Sequence, residues 1–172
     1  MIGLPTLAGA DKVLSLCAVA VKCPPGSFVE VGVYQGGSAW LLAWLADQQG
    51  RELFLYDTFE GIPFKSDIDV HQVGDFADCS YEGVCEAIPS AKVIRGVFPG
   101  SMVSMPPVSF AHLDCDQYES VKQSLATLGP LMVPGGAIVL DDVWCLEGAT
   151  QALMDSHLPY GVTDAGKAIV RF

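Results

Sequence analysis

An α/β fold, with a doubly wound and mostly parallel sheet ending in a C-terminal antiparallel hairpin, is what this sequence predicts. Three observations carry that expectation. Apolar runs of strand length alternate with helical stretches along most of the chain. The runs are almost continuously apolar, as in strands covered on both faces. The tail then reads as two short strands around Ala165-Gly166. At 172 residues the chain suits a single domain, 1–172, able to bury roughly two-thirds of its unfolded surface.

The elements follow in order. A helix over Pro5 to Lys22 is stopped by Pro24-Pro25-Gly26, and Phe28 to Val33 is the first strand. Ser38 to Gln49, rich in Leu and Ala, is a helix with apolar residues around most of its circumference, closed by Gly50. Glu52 to Asp57, Lys92 to Gly96, Ser109 to Cys115 and Ala137 to Leu140 supply strands two to five. Helices fill Ser80 to Ala87, Glu119 to Leu128 and Glu147 to Ser156, and the hairpin joins Tyr160–Asp164 to Lys167–Phe172. In such a sheet the ligand sits beyond the carboxyl ends of the strands, so the search for chemistry narrows to those ends.

Composition removes several classes of partner. The chain is 51% hydrophobic and 17% charged, too apolar to remain disordered. Its net charge of −11 repels nucleic-acid phosphates and anionic lipid head groups, which leaves small ligands and proteins. The longest apolar stretches fall short of the roughly 18 residues that span a bilayer, and no export signal is visible. The six cysteines lack C-x-x-C spacing and read mostly as small buried residues of a reduced, cytoplasmic protein.

The first strand-to-helix turn, Glu30-Val-Gly32-Val-Tyr-Gln-Gly36-Gly37-Ser38, carries glycines where backbone meets ligand. The dinucleotide fingerprint needs a glycine at position 34, where this chain has Tyr34, so pyrophosphate binding is disfavoured. Asp57 closes strand two and is placed to accept hydrogen bonds from ribose hydroxyls. A ligand with a ribose and no phosphate fits both features, and S-adenosylmethionine is one. The plainer alternative is a tight turn without ligand and a solvated Asp57.

Strand four ends in Asp114-Cys115-Asp116 and strand five in Asp141-Asp142. Neighbouring strands lie about 4.8 Å apart, so four carboxylates would crowd one rim. An all-oxygen cluster selects a hard cation such as Mg²⁺, which would lower the pKa of an acceptor hydroxyl while one Asp takes its proton. Against this, Asp116 and Asp142 would cap helices, and Asp114 would only meet the amino group of the donor.

The segments FVEVGVYQGGSA, LFLYDTFEGIP, GDFADCS, HLDCDQYES and PGGAIVLDDV resemble, in order and approximate spacing, the macrocin O-methyltransferase family, over roughly Pro24 to Ser156. The resemblance implies a Rossmann-like methyltransferase fold and Mg²⁺-assisted transfer of a methyl group from S-adenosylmethionine to a hydroxyl of a sugar or phenolic natural product. It implies donor contacts at Glu30, Gly32, Tyr34, Gly36, Ser38, Asp57, Thr58, Phe59 and Asp114, with adenine-side contacts at Gly96, Val97 and Phe98. Asp114 and Asp116 would divide the roles of base and metal ligand, in an order left open, and Asp116, Asp141 and Asp142 would hold the metal. The region between Phe64 and Lys92 is shorter than in the family, which implies an open acceptor pocket or one completed by a second subunit of a homodimer.

Other features carry less. Tyr118-Glu-Ser-Val-Lys122 matches the Y-x-x-x-K of short-chain oxidoreductases, but the first turn lacks the matching glycines. An NAD(P)-linked oxidoreductase is therefore the second reading, and a catalytically idle interaction subunit the third. His71, in the acidic loop from Glu60 to Asp78, reads as an exposed loop histidine or an acceptor-side base. His112 reads as a hydrogen-bonded sheet residue, Trp40 and Trp44 as sheet-facing or dimer-facing core rather than a substrate cage, and Trp144 as an acceptor contact or a packing residue.

Overall fold

The apolar runs Ser27–Val31, Leu53–Asp57 and Val108–Leu113 become strands covered on both faces, while the edge strand Lys92–Arg95 is only partly covered. The computed structural model describes residues 9–172. In chain order these form α1 (Ala10–Ala20), β1 (Ser27–Val31), α2 (Gly37–Gln48), β2 (Leu53–Asp57), α3 (Tyr81–Ala87), β3 (Lys92–Arg95), β4 (Val108–Leu113), α4 (Tyr118–Leu128), a 3₁₀ turn (Gly129–Leu131), β5 (Met132–Leu140), α5 (Glu147–Asp155), β6 (Tyr160–Val162) and β7 (Ala168–Arg171). Positions 5–8 of the first expected helix lie outside the described residues.

One seven-stranded sheet runs in the order β3-β2-β1-β4-β5-β7-β6. The first five strands are parallel, and β7 is antiparallel to both β5 and β6. Strand direction alternates side chains between two cores. Phe28, Leu53, Leu55 and Phe110 meet Leu16, Ala20, Leu42 and Ala46 on the α1/α2 face. Val29, Val31, Phe54 and Tyr56 share the opposite core with Val121, Leu125, Leu128 and Leu153 of α4 and α5. Leu42 and Leu125 are almost fully buried, so truncating either to Ala would cost roughly 2–5 kcal/mol.

Strand five differs from expectation. It begins at Met132, five residues before Ala137, because Gly135 N–H donates to the carbonyl of Phe172 and Phe172 N–H donates to that of Gly136. The run Pro134-Gly135-Gly136 reads as a turn in isolation and is recruited by the C-terminus. Among the described residues no helix is long and apolar enough to cross a membrane.

Order along the sheet reverses between β1 and β4: β2 and β3 lie to one side, β5 to the other. The crevice of a doubly wound sheet opens at that point.

Candidate active site

A cleft opens at the carboxyl ends of β1, β2 and β4, lined among others by Gly32, Tyr34, Ser38, Asp57, Thr58, Gly96, Val97, Phe98, Asp114, Asp116, Asp141 and Asp142. Three of the donor contacts that the resemblance implies do not line it: Glu30, Gly36 and Phe59. Glu30 points into the sheet and is fully buried, with Oε1 2.7 Å from Nδ1 of His112, its partner across β1 and β4. Gly36 takes the left-handed conformation that starts α2 (φ 88°). Phe59 packs edge-on against Tyr81, ring centroids 5.3 Å apart.

The glycine-bearing turn is built from within. Asp57 Oδ2 accepts the N–H groups of Val33 (2.7 Å) and Tyr34 (2.8 Å), and Oδ1 accepts that of Phe59 (2.8 Å). Asp57 therefore shapes the turn that carries Tyr34, itself at φ 52°. Gly32 has a structural reason as well, since a Cβ there would fall 1.9 Å from the carbonyl oxygen of Asp114. Only glycine lets β1 and β4 converge at the floor of the cleft.

Neither Asp116 nor Asp142 is needed as a helix cap. The first N–H of α4, at Tyr118, donates to Asp69 Oδ1 (2.8 Å), while Oδ2 of Asp69 accepts from the backbone and hydroxyl of Ser66. α5 has Leu146 at its N-cap and no side-chain cap. Asp116 (φ 56°) and Asp142 (φ 52°) are both held in the left-handed region. Such conformations cost about 1–3 kcal/mol each in a non-glycine residue and recur at binding sites.

Ligand atoms of Asp114, Asp116 and Asp142 lie within 4.8 Å of one another. Burial raises the Asp114 carboxyl to about 7, with repulsion from Asp141 and Asp142 adding to it and His112 opposing. Burial and the neighbouring aspartates raise Asp116 to about 8. This all-carboxylate set fits a small hard cation. Asp141 differs: its Oδ2 is ion-paired with the buried Lys167, and its Oδ1 accepts the N–H of Asp142 (3.0 Å). Burial alone would raise its pKa, yet Lys167 holds it below the ordinary carboxylate value. Lys12, in the first turn of α1, reaches Asp142 Oδ1 (3.7 Å) and Asp141 Oδ1 (3.8 Å).

The loop between β2 and α3 contributes His71 and Phe76 to the lining of the cleft. His71 lines the cleft, with Nε2 4.0 Å from Asp116 Oδ2, Nδ1 3.9 Å from Asp75 Oδ2 and its ring against Phe76. Tyr34 ties this loop to the glycine turn by donating to Asp78 Oδ2 (2.9 Å). The histidine is thus neither fully exposed nor isolated. Trp144 is 47% exposed beside Tyr160, outside the cleft lining. Trp40 packs on the core, whereas Trp44 is 56% exposed. Tyr118 and Lys122 interact with each other and with Asp155 on the outer side of α4, away from the cleft, which removes the dehydrogenase-like pairing. Lys12, Lys167 and Asp69 escaped sequence reasoning, because each acts on residues distant in the chain.

Comparison with known proteins identifies the family and the fold. The macrocin-O-methyltransferase (TylF) family matches residues 1–169. A tetracenomycin-type 4'-O-methyltransferase of Streptomyces olivaceus, which acts on a dimethoxyrhamnosyl tetracenomycin precursor by its name, is 29% identical over 95% of this chain and 69% of its own length. The chain spans 63% and 61% of two further curated relatives, the mycinamicin III 3''-O-methyltransferase of Micromonospora griseorubida and the demethyldecarbamoylnovobiocin O-methyltransferase of Streptomyces niveus. The solved O-methyltransferase NovP superposes with TM-score 0.82 at 19% identity, over 96% of this chain and 81% of that one, which shows a shared fold. By sequence over nearly its whole length, the chain belongs to the macrocin-O-methyltransferase family of S-adenosylmethionine-dependent O-methyltransferases.

Proposed function

We propose that this protein binds S-adenosylmethionine against the β1–α2 turn and methylates a hydroxyl of a small sugar-bearing or phenolic natural product, with a divalent cation held by Asp114, Asp116 and Asp142. The observation that carries this reading is the convergence of those three carboxylates in the same cleft as the glycine turn. When bound, the donor supplies a methyl group on a positively charged sulfur, and the cation favours the ionised form of an acceptor hydroxyl.

The chain's own residues supply position and proton transfer. Asp57 fixes the turn, and Ser38, Thr58, Gly96, Val97 and Phe98 wall the donor side. In the reaction an O–C bond forms as the S–C bond breaks, and the hydroxyl proton passes to Asp114 or Asp116. Asp116 is the nearer of the two to the loop side, where His71 stands. This reading places the enzyme in the cytoplasm, consistent with six free thiols.

The test is methyl transfer from isotope-labelled S-adenosylmethionine to a panel of glycosylated and phenolic acceptors, with Mg²⁺ and with chelator. Labelled methyl ether that disappears on chelation supports the proposal. Donor binding without transfer to any acceptor would sink it.

A further inference from the structure

Asp69 lies in the long loop between β2 and α3, is 7% exposed and takes no part in the transfer step. Both its oxygens are nonetheless engaged. Oδ1 accepts the N–H of Tyr118, 49 residues away in the chain, and Oδ2 accepts the N–H (2.8 Å) and hydroxyl (2.7 Å) of Ser66. The contact continues beside it. Gln117, 1% exposed, donates from Nε2 to the carbonyl of His71 (3.3 Å), and His71 in turn approaches Asp116. Residues 69–71 are therefore laid along residues 116–118. The neighbouring helix α5 is cleared for this arrangement: a Cβ on Gly148, in its first turn, would fall 2.0 Å from Asp69 Oδ1 and 3.0 Å from the Tyr118 nitrogen. A carboxylate is favoured where the first turns of two helices meet. At its far end the same loop segment is held by Tyr34, which donates to Asp78.

We infer that Asp69 is a positioning residue for the acceptor: it clamps the β2–α3 loop onto the start of α4 and so sets His71 and Phe76 against the Asp116 rim. That role in acceptor binding rests on the function proposed above, whereas the clamp itself does not. A simple helix cap would need one oxygen and no cleared space on a second helix. Asp69 instead joins the loop, α4 and α5 at one carboxylate. The donor turn is held separately, by Asp57. Loss of Asp69 should therefore be felt on the loop side alone.

The test compares amide hydrogen exchange, S-adenosylhomocysteine affinity and acceptor kinetics across variants of the whole chain. Asp69→Ala should speed exchange of residues 66–78 about tenfold, leave β1, β2 and β4 protected, and keep S-adenosylhomocysteine affinity within about threefold. With the acceptor found by the panel described above, KM should rise about tenfold while kcat stays within about threefold. Asp69→Asn keeps an oxygen for the Tyr118 N–H and should fall between Asp69→Ala and the unmodified protein. Gly148→Ala pushes on an intact carboxylate and should reproduce the loop exchange of Asp69→Ala, and the two combined should add little to either alone. Unchanged loop exchange in Asp69→Ala, or faster exchange spread evenly over the sheet, would overturn the clamp. A fall in kcat with KM unchanged would overturn the role in acceptor binding. A panel without any methylated acceptor would overturn that role together with the proposed function, while the exchange comparison still decides the clamp.

Discussion

At the glycine turn Asp57 spends its carboxylate on three backbone N–H groups, whereas at the ends of β4 and β5 the carboxylates of Asp114, Asp116 and Asp142 face one another. The first region is complete before any ligand arrives. The second carries an electrostatic cost that the protein only partly offsets, through Lys12 and Lys167. Buried groups held away from their preferred charge state are concentrated at functional sites for this reason. The difference separates a turn whose carboxylate is fully used within the protein from a rim whose carboxylates are not, and the proposed cation belongs to the second.

Removing a charge should therefore have opposite effects on the two sides. The largest effect is expected for Asp57→Ala, which leaves three N–H groups without an acceptor. We expect a loss of about 3 kcal/mol, at roughly 1 kcal/mol per bond, with S-adenosylhomocysteine affinity down at least tenfold, read by melting and calorimetry. Asp116→Asn should instead stabilise the metal-free protein by up to about 1 kcal/mol while lowering methyl transfer about 100-fold; a destabilised variant would break the contrast. The third expectation concerns pH. Asp114 and Asp116 titrate near 7 and 8 in the fold and near about 4 when unfolded. Between those values the folded state holds protons that the unfolded state has released, so metal-free stability should fall as pH rises toward 8, and Mg²⁺ should offset the fall. The smallest effect is expected for His71→Ala: about a fivefold loss in kcat/KM for the acceptor, with donor affinity unchanged.

The same contrast explains what the sequence makes legible. β1, β2 and β4 are readable because two-sided burial leaves a nearly unbroken apolar run, edge strand β3 shows only Val93-Ile94 between two charges, and the first half of β5 is hidden because Pro134-Gly135-Gly136 mimics a turn. Asp114, Asp116, Asp141 and Asp142 are readable as one crowded rim because strand ends fix where they lie. Their neighbours are less so. Whether Asp57 faces ligand or backbone depends on a turn twenty-odd residues away, at Val33 and Tyr34. Glu30 is a donor contact only by the family resemblance, and strand alternation turns it toward His112. Lys167 stands directly before the apolar run Ala168-Ile169-Val170, and a lysine that is buried there needs an anion. The partner, 26 residues upstream, is visible only once β7 is known to lie beside β5.

The most direct measurement is calorimetric titration of Mg²⁺ into the protein saturated with S-adenosylhomocysteine, compared with the same titration of Asp142→Asn. One saturable Mg²⁺ site per chain, lost in the variant, is the result this account predicts. Saturable binding that survives unchanged in the variant, or no binding of the donor product at all, would contradict it.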